Sequence, residues 1–597
     1  MISRQQKRND NENSPLFLTK KILSKIKKYH HIFIPIFIFA LAFLLRLWNL
    51  GSLPYSLHDD EVWNAYIGRF ILENGEDLNG KSWPILYSDK FGDYPPVLPM
   101  YLSGISTYIF GVNAFAVRLP IAILGGLSVV LIYFLAKWIF SKPSIAYLAA
   151  LFMAVMPWHI ILSRATAEGI VGTFIFILGL FLLFKAIDKQ KISLIFVPAY
   201  LFIFASYLFY PSFRIIAPMV LLPTFLLSSN PKLKKLLIGM TVLAFALTIG
   251  ISQTDWGSGR FDQLSIMTHN DVIPGRALNY SLALGPNRVL QARIFNNRYV
   301  LASREFARQY TSHFSPQFLT GGDYIQPKRY ELIEHGTAYW ILLIVIVGLI
   351  IVHIWKPFSS KQFLSTFQTG RARFFLILIW LLLITPIPSS LTLEEVPNIH
   401  RTVMMTFGWA TIFALATHLL INAQLFKYWK AITTAIIAII FAIEVAYFVH
   451  AYTSLDYVSN FTHRDDKYEL LANWLIDNGS DYDLILIPDQ TNLLLQYLFF
   501  KQDFSPEHFS ELESSYHMDS IGNIHLAFFT CDEAANQKLL NPEKRIAVIT
   551  TTELCLTDRD DIVQFIDVDE VNRRGLTRAF NIQAPELADN VELLETN

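Results

Sequence analysis

The sequence predicts a polytopic α-helical membrane protein of about 11 transmembrane helices with a small C-terminal extracytoplasmic α/β domain. Three observations predict it. Of 597 residues, 53% are hydrophobic and only 16% are charged, with a mean hydropathy of +0.37. A soluble chain so composed could not cover its surface, whereas a membrane-spanning region needs no polar cover. Apolar runs of spanning length recur at roughly 32–50, 117–136, 145–162, 168–184, 194–209, 213–229, 236–252, 338–355, 374–390, 402–422 and 431–450. The zero net charge hides an asymmetry: 27 acidic against 10 basic residues from Asp456 onward, and 22 against 39 before it. Two regions in two electrostatic settings follow.

Residues 1–31 read as a cytoplasmic basic tail, with Lys20, Lys21, Lys25, Lys27 and Lys28 close to the first apolar run. That run continues into Arg46 without a small-residue cleavage site, so it is expected to stay as the first span of a transmembrane domain over 32–450. The first outer loop, 51–116, opens with Ser56-Leu57-His58-Asp59-Asp60-Glu61. Ionised groups at a bilayer edge are costly unless paired or hydrated, which makes these acids candidates for function; a solvated acidic loop is the alternative.

The segment 95–116 carries no charge, and hydropathy alone would have it cross. Loop charge argues otherwise. If it does not cross, Lys137 and Lys142, Lys185, Lys189 and Lys191, Lys232, Lys234 and Lys235, Lys356, Lys361, Arg371 and Arg373, and Lys427 and Lys430 all fall inside. With Pro95, Pro96, Pro99 and Gly104, the segment is expected to form helices lying in the outer interface.

The large loop 253–337 and the tail 451–597 then face out. Over 288–310 the pattern predicts one amphipathic helix, with Arg293, Arg304 and Arg308 roughly opposite Phe295, Tyr299, Phe306 and Tyr310. Its arginines either snorkel at the interface or hold an anionic lipid or glycan. In the tail, helical patterns at Tyr468–Ile476 and Leu493–Phe500 alternate with β-type runs at Asp483–Pro488, Ile524–Phe529 and Arg545–Thr551. It has no phosphate-binding glycine loop and no clustered metal ligands, so binding or structural work is expected there. Cys531 and Cys555 can form one disulfide outside the cell; two separate buried thiols are the alternative.

This sidedness gathers Asp59, Asp60, Glu61, Lys90, Tyr94, Arg164, Glu168, Arg214, His400 and Arg401 at one bilayer surface. Acids that activate a nucleophile beside cations that hold a phosphate suit transfer from a phosphate-linked substrate. Plainer readings exist. Arg164 and Glu168 have the spacing of a helix ion pair, Arg118 of an interface anchor, and His159 of interfacial packing. His58 beside Asp59 leaves a divalent cation open as a cofactor.

The ordered set Asp60-Glu61, Tyr94-Pro95-Pro96, Phe110 through Pro120, Pro157-Trp158-His159 and Ser163-Arg164 resembles the lipid-linked-sugar glycosyltransferases of the GT-C fold. The likeness is to the dolichyl-phosphate-mannose protein mannosyltransferase and aminoarabinose transferase branch, best over about 40–190, weaker to Arg401 and absent from the tail. The resemblance implies inverting transfer of a sugar from a polyprenyl-phosphate donor to a protein, lipid or cell-wall polymer. The reaction would take place at the outer face of the plasma membrane, among membrane lipids and without nucleic acid. It makes Asp60 the base or the organiser of the acceptor hydroxyl, with Asp59 and Glu61 as neighbouring acids, a one-residue shift to Asp59 as the alternative, and Glu168 as a second acid where several relatives have Asp. Lys90, Arg164, Arg401 and Tyr94 become the donor-phosphate group. A transporter or lipid flippase, or a non-catalytic glycan-binding relative, are the rival classes; transporters carry charge at mid-membrane, and Glu444 is the exception among these spans.

Overall fold

The structure, a computed structural model, describes residues 15–89, 93–254, 256–257, 265–266, 272–321, 325–332, 335–455, 467–487, 491–509, 520–526, 546–549, 562–565 and 593–594. The chain is mostly helical. In order come α1 (Pro15–Leu47), α2 (Asp59–Asn74), α3 (Leu98–Phe110), α4 (Ala114–Ile139), α5 (Pro143–Val155), α6 (Pro157–Ser163), α7 (Glu168–Asp188), α8 (Phe196–Ala205), α9 (Phe213–Leu221) and α10 (Pro231–Ser252). The large loop holds α11 (Val272–Leu284), α12 (Val289–Phe295) and α13 (Arg298–Ser312). Then follow α14 (Trp340–Trp355), α15 (Ala372–Ile384), α16 (Met405–Ile421), α17 (Trp429–Ser454), α18 (Lys467–Asn478) and α19 (Thr491–Lys501).

Among the described residues five helical segments are long and apolar enough to cross a membrane, or six if α5 and α6 count as one bent span. Five shorter apolar helices fall on the other expected runs. The chain is a multi-pass membrane protein. The bend between α5 and α6, 54°, has a local cause. Pro157 has no N–H, so the Met153 carbonyl loses its helical partner. Arg46 replaces it, donating Nη2 to Met153 O at 3.2 Å and Nη1 to Ala154 O at 2.9 Å.

The uncharged segment 95–116 yields α3, whose 13 residues reach about 20 Å, short of the roughly 30 Å of a bilayer core. It packs on α2 through Gly68 and Gly104, where a Cβ on Gly104 would lie 2.3 Å from Gly68 C. Only glycine lets the two backbones approach so closely. The single amphipathic helix expected over 288–310 is two helices instead. Asn297 breaks it, because its side chain accepts from the N–H groups of Tyr299 and Val300 and so starts α13 afresh. Arg308 is tied to Glu305 on α13.

The C-terminal runs form β1 (Leu484–Ile487), β2 (Ser520–Ile521), β3 (Ile524–Leu526), β4 (Ile546–Ile549), β5 (Ile562–Phe565) and β6 (Leu593–Leu594), in the order β2-β3-β1-β4-β5-β6. The inner pairs β3–β1, β1–β4 and β4–β5 are parallel, and both edge pairs are antiparallel. The tail does not stand apart from the loops. Val62, Tyr66 and Phe70 of α2 share one hydrophobic cluster with Leu471, Leu475, Leu494 and Leu498 of α18 and α19. Tyr66 stacks on Phe504 at 5.1 Å and donates its hydroxyl to Asp503 O at 2.9 Å.

Candidate active site

The turn after α1 sets the site. After Leu47 and up to Ser56 the backbone leaves helical geometry, and its carbonyls, like those of the last turn of α1, need donors where water is scarce. Two arginines supply them. Arg164, 1% exposed, donates Nη1 to Leu45 O at 2.8 Å and Nη2 to Leu53 O at 2.9 Å, with Nε on the Tyr452 hydroxyl at 3.2 Å. Arg118, fully buried, donates Nη1 to Pro54 O at 2.8 Å and to Leu50 O at 3.2 Å, and Nη2 to Ser56 O. The Arg164 guanidinium, expected on the donor phosphate, is thus enclosed and engaged by backbone carbonyls and the Tyr452 hydroxyl.

The turn delivers the chain to α2. His58 caps this helix, its Nδ1 accepting from Asp60 N at 3.1 Å, and its own N–H donates to Glu61 Oε2 at 3.0 Å. The reciprocal cap fixes how the three acids project. Glu61 points inward. Its carboxylate accepts from Arg118 Nε at 2.9 Å and Nη2 at 3.2 Å and from Thr166 N at 3.3 Å, with side-chain exposures of 3% for Glu61 and 0% for Arg118. Asp59 points to the tail and accepts from Gln496 Nε2 at 2.8 Å. Asp60 points out. Its side chain is 49% exposed and lies 3.5 Å from Arg329 Nη2.

Arg329 comes from the end of the large loop, and sequence reasoning missed it. The segment bearing it pairs with the segment before α16, since Gln326 bridges Asn398 and Ile399 N donates to Gln326 O at 2.9 Å. That pairing sets Arg329 3.4 Å from Glu395, which also lies 3.8 Å from Arg401. Arg401 donates Nη1 to Thr392 Oγ1 at 2.6 Å and is 15% exposed. Burial works against the charge of Arg329, but Tyr330 and the facing Asp60 and Glu395 carboxylates outweigh it and raise its pKa. Asp60 therefore meets an arginine that stays charged.

One helical turn along α2, Asn64 donates to Glu168 Oε1 at 2.7 Å. The other oxygen of Glu168 lies 3.4 Å from His400 Nε2, which accepts from Gly169 N at 2.9 Å. A Cβ on Gly169 would lie 2.8 Å from the His400 ring, so only glycine admits that contact. Tyr210 packs against the His400 ring, the two tilted by 33° with centroids 4.6 Å apart. Asp60 and Asn64 share a helix face, which brings Glu168 to the neighbourhood of Asp60. The Glu168–Arg164 helix pair is replaced by this Asn64–Glu168–His400 group.

Tyr94 lies edge-on to Tyr87 at 5.4 Å, within an aromatic group in which Tyr87 stacks on Trp256 and the Arg214 guanidinium lies 3.8 Å over Trp256. Lys90, Cys531 and Cys555 lie outside the described residues. Among the described residues no three His, Cys, Asp or Glu side chains are grouped to hold a metal ion. Arg329 escapes notice in sequence because it is one of several arginines in a long loop. Asn64 and Gln496 carry no spacing signal at all, whereas His400 is gathered with the site by its side of the membrane.

Comparison with known proteins bears on these observations. Residues 93–256 match the family model of dolichyl-phosphate-mannose-protein mannosyltransferase. Two Bacillus subtilis (strain 168) proteins assigned by name to the mannosyltransferases are similar. YkcB is 29% identical over 204 residues, 33% of this chain and 27% of that protein, and YycA is 31% identical over 164 residues, 27% and 23%. The chain thus spans about a quarter of the length of these relatives. Among solved structures, the oligosaccharyltransferase AglB of Archaeoglobus fulgidus gives a TM-score of 0.42 at 14% identity, over 79% of this chain and 64% of that one. ArnT of Cupriavidus metallidurans gives 0.42 at 11%, over 78% and 84%. Likenesses that low carry no argument by themselves. Over Asp93 to Trp256, the chain resembles the dolichyl-phosphate-mannose-protein mannosyltransferases.

Proposed function

We propose that the protein transfers a sugar from a polyprenyl-phosphate donor to an acceptor hydroxyl, at the membrane face that carries the acidic cluster. The observation that carries this reading is the outward Asp60 carboxylate, 3.5 Å from Arg329, with Arg401 joined to Arg329 through Glu395. A base and paired cations within one short span are what attack on a phosphate-linked sugar requires. Asp60 takes the proton of the acceptor hydroxyl as its oxygen bonds to the anomeric carbon. The bond from that carbon to the phosphate oxygen breaks, and its electron pair stays on the phosphate. Arg329 and Arg401 stabilise the charge that collects there, each leaving a carboxylate contact to do so. Attack opposite the leaving phosphate inverts the anomeric centre. Glu168, held by Asn64, orients the acceptor, and Lys90 stands in the same loop as Asp60 as a further donor-phosphate cation. Tyr94 lines the approach with its aromatic neighbours.

On this reading the eleven apolar helices cross the bilayer, with the basic tail in the cytoplasm and the acids and the C-terminal α/β region outside. The test is transfer of labelled sugar from a polyprenyl-phosphate donor by the full chain in liposomes. Asp60→Asn is expected to lower turnover about 100- to 10,000-fold, the range for loss of a general base. Turnover at the wild-type rate would refute the assignment.

A further inference from the structure

A groove of about 650 Å³ opens at the far end of α4 and α7, away from the acids. Both helices start at the site, α4 beside Arg118 and α7 at Glu168, and run to Lys137 and Lys185 in their last turns. At roughly 1.5 Å per residue, about 28 Å of helix separates Arg118 from Lys137, close to the thickness of a bilayer core. The groove therefore lies at the opposite membrane face.

Its walls and its end differ in chemistry. Phe134, Phe174 and Leu178 line the part along the helices, and Phe134 is 48% exposed toward the lipid side. Lys137, Lys185 and Arg371 stand together at the end. Arg371 is committed in part: Nη2 lies 3.1 Å from Asp188, which also draws Arg373, and Nη1 donates to Trp138 O at 2.8 Å. The two lysines are exposed, and their ammonium groups lie over aromatic rings, Lys137 at 5.5 Å from Tyr133 and Lys185 at 4.4 Å from Phe181. Among the described residues neither is ion-paired. Stems laid on apolar surface with heads gathered at one level suit a negative headgroup at the interface.

We propose that this groove is the seat of an anionic phospholipid, one hydrocarbon chain between α4 and α7 and its phosphate held by Lys137 and Lys185, with Arg371 behind them. The seat is separate from the transfer site and stands whether or not the transferase reading does.

Full-length protein in neutral detergent, offered equal phosphatidylglycerol and phosphatidylcholine, tests it by native mass spectrometry. The wild type is expected to retain phosphatidylglycerol preferentially. Each lysine near a membrane surface is worth about fivefold, so Lys137→Gln with Lys185→Gln lowers that preference about thirtyfold. Leu178→Trp narrows the groove, leaves both lysines in place, and is expected to remove the retained lipid as well. No preference in the wild type, or one that survives the double variant, overturns the proposal. So does retained lipid in Leu178→Trp equal to the wild type. A polyprenyl phosphate that displaces phosphatidylglycerol from the wild type but not from the double variant assigns the seat to the carrier and overturns it too.

Discussion

Substituting Asp60 and Glu61 one at a time should separate two carboxylates that are adjacent in sequence. Glu61 is enclosed: it accepts from both Nε and Nη2 of Arg118 and from the N–H groups of His58 and Thr166, and the pair is almost wholly out of solvent. Glu61→Gln leaves the Arg118 guanidinium buried without its counter-ion and replaces one accepting oxygen by a donor. Removing one partner of a buried ion pair costs about 3–5 kcal/mol, so the variant should unfold markedly earlier. Asp60 is half exposed and touches Arg329 across 3.5 Å. Such a contact is worth about 0–1 kcal/mol, so Asp60→Asn should unfold like the wild type while its transfer rate collapses. Thermal unfolding of detergent-solubilised protein, followed by tryptophan fluorescence, is read beside the transfer assay. The reasoning is refuted if Glu61→Gln keeps wild-type stability, or if Asp60→Asn is the destabilised variant.

Three further outcomes are expected. Gly104→Ala forces a Cβ to 2.3 Å from Gly68 C; overpacking of this kind costs about 1–3 kcal/mol and should appear as a lower unfolding midpoint. Gln496→Ala removes the hydrogen bond to Asp59, worth about 1.5–3 kcal/mol for a charged acceptor, and should speed amide exchange at the start of α2 as well as in α19. His313, whose Nε2 lies 3.1 Å from Ser389 Oγ and accepts from Asn398 N at 3.3 Å, should make stability depend on pH. Burial first, and then Arg401, bring its pKa from 6.5 down to about 4. The unfolded chain therefore binds the proton more readily than the folded one. Stability should fall as pH drops from 6.5 toward 4, and His313→Gln should flatten that slope in pH-dependent melts.

Much of the scaffold was legible because its signals are local. Apolar runs mark their own helices, and over 95–116, where loop charge, Pro95, Pro96, Pro99 and Gly104 lead to an expectation of interfacial helices, the chain forms one 13-residue helix. The arginines were not legible in the same way. Arg164 and Arg401 both stand at the end of an apolar run, and in sequence nothing distinguishes them. What separates them is the last turn of α1 and the irregular turn after it, more than a hundred residues before Arg164, whose carbonyls at Leu45 and Leu53 need a buried donor. A turn's demand for donors leaves no mark on the sequence of the residue that answers it. Arg329 was hidden for the converse reason: its approach to Asp60 depends on Gln326 pairing with Asn398, a contact between two loops. The break between α12 and α13 was readable in principle, since Asn296-Asn297 interrupts the pattern, but the apolar periodicity over 288–310 outweighed it.

The acidic triplet shows how neighbours of one chemistry come to do different work. On an α-helix successive side chains turn by about 100°, so three in a row face three directions. At the start of α2 each direction meets a different part of the chain: Asp59 the tail through Gln496, Glu61 the membrane bundle through Arg118, and Asp60 the large loop through Arg329. The Glu61 contact is enclosed and the Asp59 contact partly buried, and the two hold the helix from different sides. The third is half exposed, and on the proposed reading it is the one a substrate enters. Gln496 and the Tyr66–Phe504 stack hold the helix that presents Asp60, so on that reading the tail acts on the site without supplying a reacting group. A protein lacking residues after 466 should for that reason lose transfer even though every proposed reacting residue is retained. Wild-type turnover by such a truncated chain, inserted and purified normally, would refute this coupling.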